Sequence, residues 1–143
     1  MPEHAHLLAA NEEFYRAFRE ADLPAMEALW APTDDVACIH PGWPALRGRA
    51  RVLSSWKAVL LDNTPPRVTC ARVEAFQHGD VAFVTCVERV PEVRAELAAT
   101  NIFVRFANEW RMVHHQAGPV SLPAGVMPPS VVGEDDDGPP TLN

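Results

Sequence analysis

Lysine is almost missing from this chain. Eleven of its twelve basic residues are arginine, and nineteen acidic residues outnumber them for a formal net charge of −7. A surface that neutralises phosphates needs clustered Lys and Arg, so this balance excludes nucleic acid and anionic membrane as partners. The one basic cluster, Arg47, Arg49 and Arg51, reads as the solvated first turn of a helix. No apolar run approaches the roughly 20 residues that cross a bilayer. The stretch MPEHAHLLAANEEF has neither a basic lead nor an uninterrupted apolar segment, so a cytoplasmic protein is expected. Cysteine is sparse: Cys38, Cys70 and Cys86 are odd in number, lack CxxC spacing and sit in apolar segments, which reads as buried thiols. GxSxG, P-loop, GxGxxG and HExxH patterns are all absent, so hydrolase triads, nucleotide sites and metal centres find no support, and no cofactor is expected.

What is present is a change of period. Leu7, Phe14 and Phe18 recur at helical spacing between His6 and Ala21. Asn11 and Tyr15 lie on or beside that apolar stripe, where a polar group must find a partner or line a wet cavity. Asp22 is an N-cap candidate for a second helix, with Pro24 tolerated in its first turn and Leu23, Met26, Leu29 and Trp30 facing inward. Val36–Ile39 suits a brief strand. After the loop His40-Pro41-Gly42-Trp43-Pro44, Gly48 opens a third helix with Val52, Leu53, Trp56, Val59 and Leu60 on one face. Asn63-Thr64-Pro65-Pro66 stops it. Beyond Pro66, four stretches rich in Val, Phe, Thr and Ile are separated by His78-Gly79-Asp80, Pro91-Glu92 and Ala107-Asn108-Glu109, which predicts an antiparallel meander covered by the three helices. From Gly118 onward come six of the fourteen prolines and the acidic run Glu134–Asp137. The organisation is therefore a domain over residues 1–118 and a Pro/Gly-rich acidic tail over 119–143.

This order resembles the nuclear transport factor 2-like superfamily, an α+β cone of three N-terminal helices packed on a curved antiparallel sheet. Ala21-Asp22-Leu23-Pro24-Ala25-Met26-Glu27-Ala28-Leu29-Trp30 is similar to the second helix of SnoaL-like members. His40-Pro41-Gly42 before Gly48-Arg49 resembles their HPG…GR stretch, and Thr100–Phe103 and Trp110–His115 complete the set. Glu88, Asn101 and Ala117 fall where the related kinase association domain has a basic pocket. The resemblance implies that Glu88 and Asn101 face inward, while the departure at all three positions argues against an anionic ligand.

Strand alternation then selects the site. With Asn101 opposite Ala117, Phe103 would oppose His115 and His114 would face out. Glu88 and His115 become the acid–base candidates, since a desolvated carboxyl rises in pKa and imidazole titrates near neutrality. Asn101 would orient a ligand, with His40 as a further contact. Tyr15, Trp30, Trp43, Trp56 and Phe103 are candidates for an aromatic wall, or for plain core. Two readings follow. One is a small-molecule-binding domain with acid–base chemistry of the lyase, isomerase or cyclase kind on a small apolar or carbonyl compound; the other is a non-catalytic dimerisation or ligand-binding module. Under either, the outer sheet face with Ile102, Val104 and Phe106 is expected to pair in a homodimer.

Overall fold

Periodicity becomes structure along the whole N-terminal half. In the computed structural model, which describes residues 4–62, 67–91 and 95–120, Leu7, Asn11, Phe14, Tyr15 and Ala17 form the buried stripe of α1 (Ala5–Arg19). Asp22 caps α2 (Leu23–Leu29) by accepting from the Ala25 N–H at 3.1 Å. The short strands β1 (Ala37–Ile39) and β2 (Leu46–Arg47) precede α3 (Arg49–Leu60), and β3 (Thr69–His78), β4 (Val81–Val90), β5 (Ala95–Phe106) and β6 (Glu109–Pro119) complete the domain. Most of the expected tail, from residue 121 on, lies outside the described residues, as do the stop at 63–66 and Glu92 of one turn.

Six strands form one sheet in the order β2-β1-β6-β5-β4-β3. The β3–β6 meander is antiparallel as expected. The sheet as a whole is mixed, because β1 lies parallel to β6 with Cys38 beside His115. The two-residue β2, which no periodicity announces, hairpins onto β1. One face carries the core, including Leu7, Phe14, Met26, Trp56, Val84, Phe103 and Met112.

Register departs from expectation. Asn101 faces His115, Ala99 faces Ala117, and Phe103 faces Met112. The offset from the expected pairing at Asn101 is two residues, an even number that leaves His115 on the inner side with Asn101. A bulge at Val113 lies between Ile102 and Phe103 of the partner strand. It changes the phase of β6: Trp110 and Met112 are buried before it, His115 and Ala117 after it. A second bulge interrupts β3 between Ala71 and Glu74, with Arg72 at φ 55°. Bulges bend and twist a strand.

Arg49 corrects the solvated-turn reading. Its guanidinium donates to the carbonyls of Trp30 (2.8 Å), Ala31 (2.7 Å) and Glu27 (3.0 Å), satisfying groups at the end of α2. Gly48 permits this junction: its φ is 93°, and an added Cβ would stand 3.2 Å from the Asp34 carboxylate that receives the Arg49 N–H. Phe106, expected on the outer face with Ile102 and Val104, is partly buried and packs against the core cluster.

Candidate functional site

The inner face of the sheet and the helices enclose a cavity of about 260 Å³. Its wall is apolar, from Phe18 of α1, Val59 of α3, Val68, and Val90 and Leu97 at the strand ends. Glu88, His115 and His40 are the polar lining residues, and all three are buried.

Strand geometry delivers Glu88. Cys86 and Glu88 alternate onto the inner face of β4, and burial withdraws the carboxyl from water, raising its pKa to about 7 against the opposing pull of a Tyr15 hydrogen bond. Tyr15 Oη donates to Glu88 Oε2 at 2.7 Å. Burial, followed by the neighbouring Glu88 charge, holds the phenol well above its usual range, so it stays a donor.

Asn101 organises the polar groups behind the cavity. Its Nδ2 donates to Asn11 Oδ1 at 2.8 Å and to Tyr15 Oη at 3.2 Å. Its Oδ1 lies 2.6 Å from His115 Nδ1. An amide oxygen only accepts, so His115 carries its proton on Nδ1 and a lone pair on Nε2. That Nε2 is 3.8 Å from Glu88 Oε2, beyond hydrogen-bond length. Full burial, with smaller contributions from His40 and His114, lowers the His115 pKa to about 3, so the ring is neutral.

His40 reaches the same cavity from the β1–β2 connection. Trp43 N–H returns to the His40 carbonyl at 2.9 Å, with Pro41 and Gly42 (φ 81°) between them, the residue pattern of a type II turn. The turn sets Trp43, 44% exposed, at the rim with its ring 4.8 Å from His40. His40 Nε2 lies 2.9 Å from Ser55 Oγ, and desolvation lowers this imidazole to about 4.

The sequence-derived candidates thus separate into three groups. Glu88, His115, His40 and Trp43 line the cavity. Tyr15 and Asn101 stand behind it and hold its acid and base, while Trp56, fully buried, touches both His40 and His115 with its ring. Trp30 and Phe103 are core: Trp30 bridges to Met112, and Phe103 lies between Ala82 and Met112. Ser55 was missed, although a polar residue on the buried face of α3 is the same signal that marked Asn11. Among the described residues no group of three or more His, Cys, Asp or Glu is placed to hold a metal, and no helix is long and apolar enough to cross a membrane. A wider cleft of about 450 Å³ opens between Asp34–Ala37 and Val113–His114. Asp34 there is exposed and already engaged by the Arg49 N–H.

Comparison with known proteins gives the same architecture. The model of the SnoaL-like domain family matches residues 7–123. A structure from Streptomyces avermitilis, provisionally named a dehydratase of the nuclear transport factor 2-like family, is 32% identical; the match covers 82% of this chain and 95% of that one, with a TM-score of 0.75. Another, from Thiobacillus denitrificans, carries the provisional name of a calcium/calmodulin-dependent protein kinase type II association domain. It is 34% identical over 85% of this chain and 100% of that one, with a TM-score of 0.74. F-box protein SKIP8 of Arabidopsis thaliana is 28% identical over 111 residues, 78% of this chain and 48% of that protein. The chain therefore spans about half the length of that curated relative.

Proposed function

The chain belongs to the SnoaL-like domain family, and from that premise we propose that it binds a small, mainly apolar carbonyl compound and moves a proton on it with Glu88 and His115. The observation that carries this reading is the uncommitted Nε2 lone pair of His115, 3.8 Å from a buried carboxyl whose pKa is raised to about 7. A neutral acid and a neutral base side by side in an apolar hollow suit proton transfer next to a carbonyl. Glu88 donates its proton to the carbonyl oxygen as His115 Nε2 takes one from the adjacent carbon. On a β,γ-unsaturated ketone the C–H pair becomes the new C=C bond of a dienol; His115 then returns its proton to the far carbon of the dienol while the enol O–H proton goes back to Glu88, which re-forms the carbonyl and completes an isomerisation. Tyr15 and Asn101 position the two groups without entering the exchange. The provisional dehydratase name of the Streptomyces avermitilis protein is compatible with acid–base chemistry of this kind.

A thermal-shift panel of small ketones and enones is the test. At least one compound should stabilise the wild type, and His115→Ala should abolish the shift. Silence across the panel, or an undiminished shift in His115→Ala, counts against the reading.

A second reading concerns assembly. Phe76 stacks on Phe83 at 4.7 Å on the outer face, with Val81 46% exposed beside them and Ile102 across the ladder. We infer that a second copy covers this face, since apolar patches of this kind are uncommon on monomers. Light scattering at micromolar concentration should give twice the chain mass, and Phe83→Glu should halve it. A monomeric wild type removes the idea. Three free thiols, Cys38 and Cys86 among them buried, support the cytoplasmic setting of this reading.

A further inference from the structure

His40 is not used by the proton transfer proposed above, yet its chemistry in the cavity is constrained. Ser55 Oγ donates its single proton to the Val52 carbonyl at 2.7 Å. The 2.9 Å contact between Ser55 Oγ and His40 Nε2 must then run the other way, with Nε2–H donating. His40 therefore carries its lone pair on Nδ1, and no hydrogen bond to Nδ1 occurs among the described residues. Edge contacts from Trp43 and Trp56, each 4.8 Å between ring centres, hold the imidazole in place. His115 has the same arrangement by a different route, its N–H turned to Asn101 and its lone pair left over. The cavity thus offers two imidazole acceptors with their donors committed elsewhere. A ligand that only accepts would leave one of them dry and unpaired.

We propose that His40 is a specificity-determining residue whose Nδ1 accepts a hydrogen bond from a ligand hydroxyl, so that the domain selects a hydroxylated carbonyl compound over the plain ketone. The proposal rests on the reading above, in which Glu88 and His115 take the carbonyl end. An acceptor cannot protonate a departing hydroxyl, so the group held by His40 is a handle that stays on the ligand. A hydroxyl fits better than an ammonium, because the wall is apolar and a buried cation would need full compensation. Size sets a bound: about 260 Å³ is the liquid volume of roughly nine waters, which suits a single-ring compound.

Titration calorimetry with acetophenone, its 2-, 3- and 4-hydroxy isomers and benzylamine tests this. At least one hydroxy isomer should bind the wild type about tenfold or more tighter than acetophenone, since a site built to bond a hydroxyl rejects the analogue lacking it. In His40→Phe that ratio should fall to about one, a readout that a purely structural role would not move. Ser55→Ala, which frees the ring to exchange tautomers, should reduce the ratio as well and serves if His40→Phe does not fold. If acetophenone binds and no isomer exceeds it, or the preference survives both variants, the role of His40 is overturned while the carbonyl reading stands. Benzylamine binding above every isomer also overturns it. Failure of all five compounds overturns both.

Discussion

At pH 8 the Glu88→Gln protein should be more stable than the wild type by about 2–3 kcal/mol, with proton transfer slowed by about 10²–10⁴-fold. The stability change follows from linkage. The carboxyl titrates at 4.5 when solvated and at about 7 when folded, so between those values the folded state keeps a proton that the unfolded chain has released. This contribution is complete below pH 4.5 and is lost as pH rises through 7, at about 1.4 kcal/mol per pH unit. His115 and His40 act in the opposite sense. Their folded values of about 3 and about 4 lie below 6.5, so their contribution is present above pH 6.5 and lost on acidification. Wild-type stability should therefore rise to about pH 6.5, slip by less than about 1 kcal/mol towards pH 7 and then level off. Gln keeps an acceptor for the Tyr15 hydroxyl but has no proton to lose, which leaves the rise and removes the slip. Urea midpoints from pH 4 to 9 measure this; a stability difference between the two proteins that does not grow between pH 4.5 and 7 would contradict the assignment.

Trp56→Ala should cost about 3–5 kcal/mol. The ring is fully buried and meets Phe14 at 5.4 Å, Phe18 at 4.9 Å, His40 at 4.8 Å and His115 at 5.8 Å. Deleting it opens a void that these neighbours cannot jointly fill, and it removes the wall that orients both imidazoles. Ligand binding should vanish along with the stability. Trp43→Ala provides the contrast: this side chain is partly solvated at the rim, so stability should move by less than about 0.5 kcal/mol while affinity falls. Denaturant curves on the two variants check the pair, and equal losses would mean that Trp43 is core.

The three helices and four long strands were legible because each has a hydrophobic period and a recognisable boundary, such as Asp22 before Leu23 or Gly79-Asp80 between β3 and β4. β2 was not, since two residues carry no period. The expected β5–β6 pairing rests on uninterrupted alternation, which the extra residue at Val113 breaks. Nothing in the composition around Val113 announces it. Alternation still places His115 on the inner face, because an offset of an even number of residues leaves its face unchanged. The polar groups were partly visible for a different reason: Asn11 and Tyr15 stand out as exceptions on an apolar stripe, and the network joining them to Asn101, Glu88 and His115 follows once α1 crosses the sheet. Aromatics gave no such contrast. Trp30, Trp43 and Trp56 look alike in a sequence, and only the packing sends the first to the core, the second to the rim and the third beneath two imidazoles.

The irregularities at Arg72 and Val113 sit in β3 and β6, on either side of the β4–β5 pair that carries Glu88 and Asn101. Each adds length to one strand without adding it to its neighbour, and a ribbon lengthened along two lines has to buckle. The hollow is in that sense a matter of counting. Two one-codon deletions, taking no residue that lines the cavity with them, would let the sheet lie flatter against the helices and leave Glu88 and His115 in place with nowhere for a guest to sit.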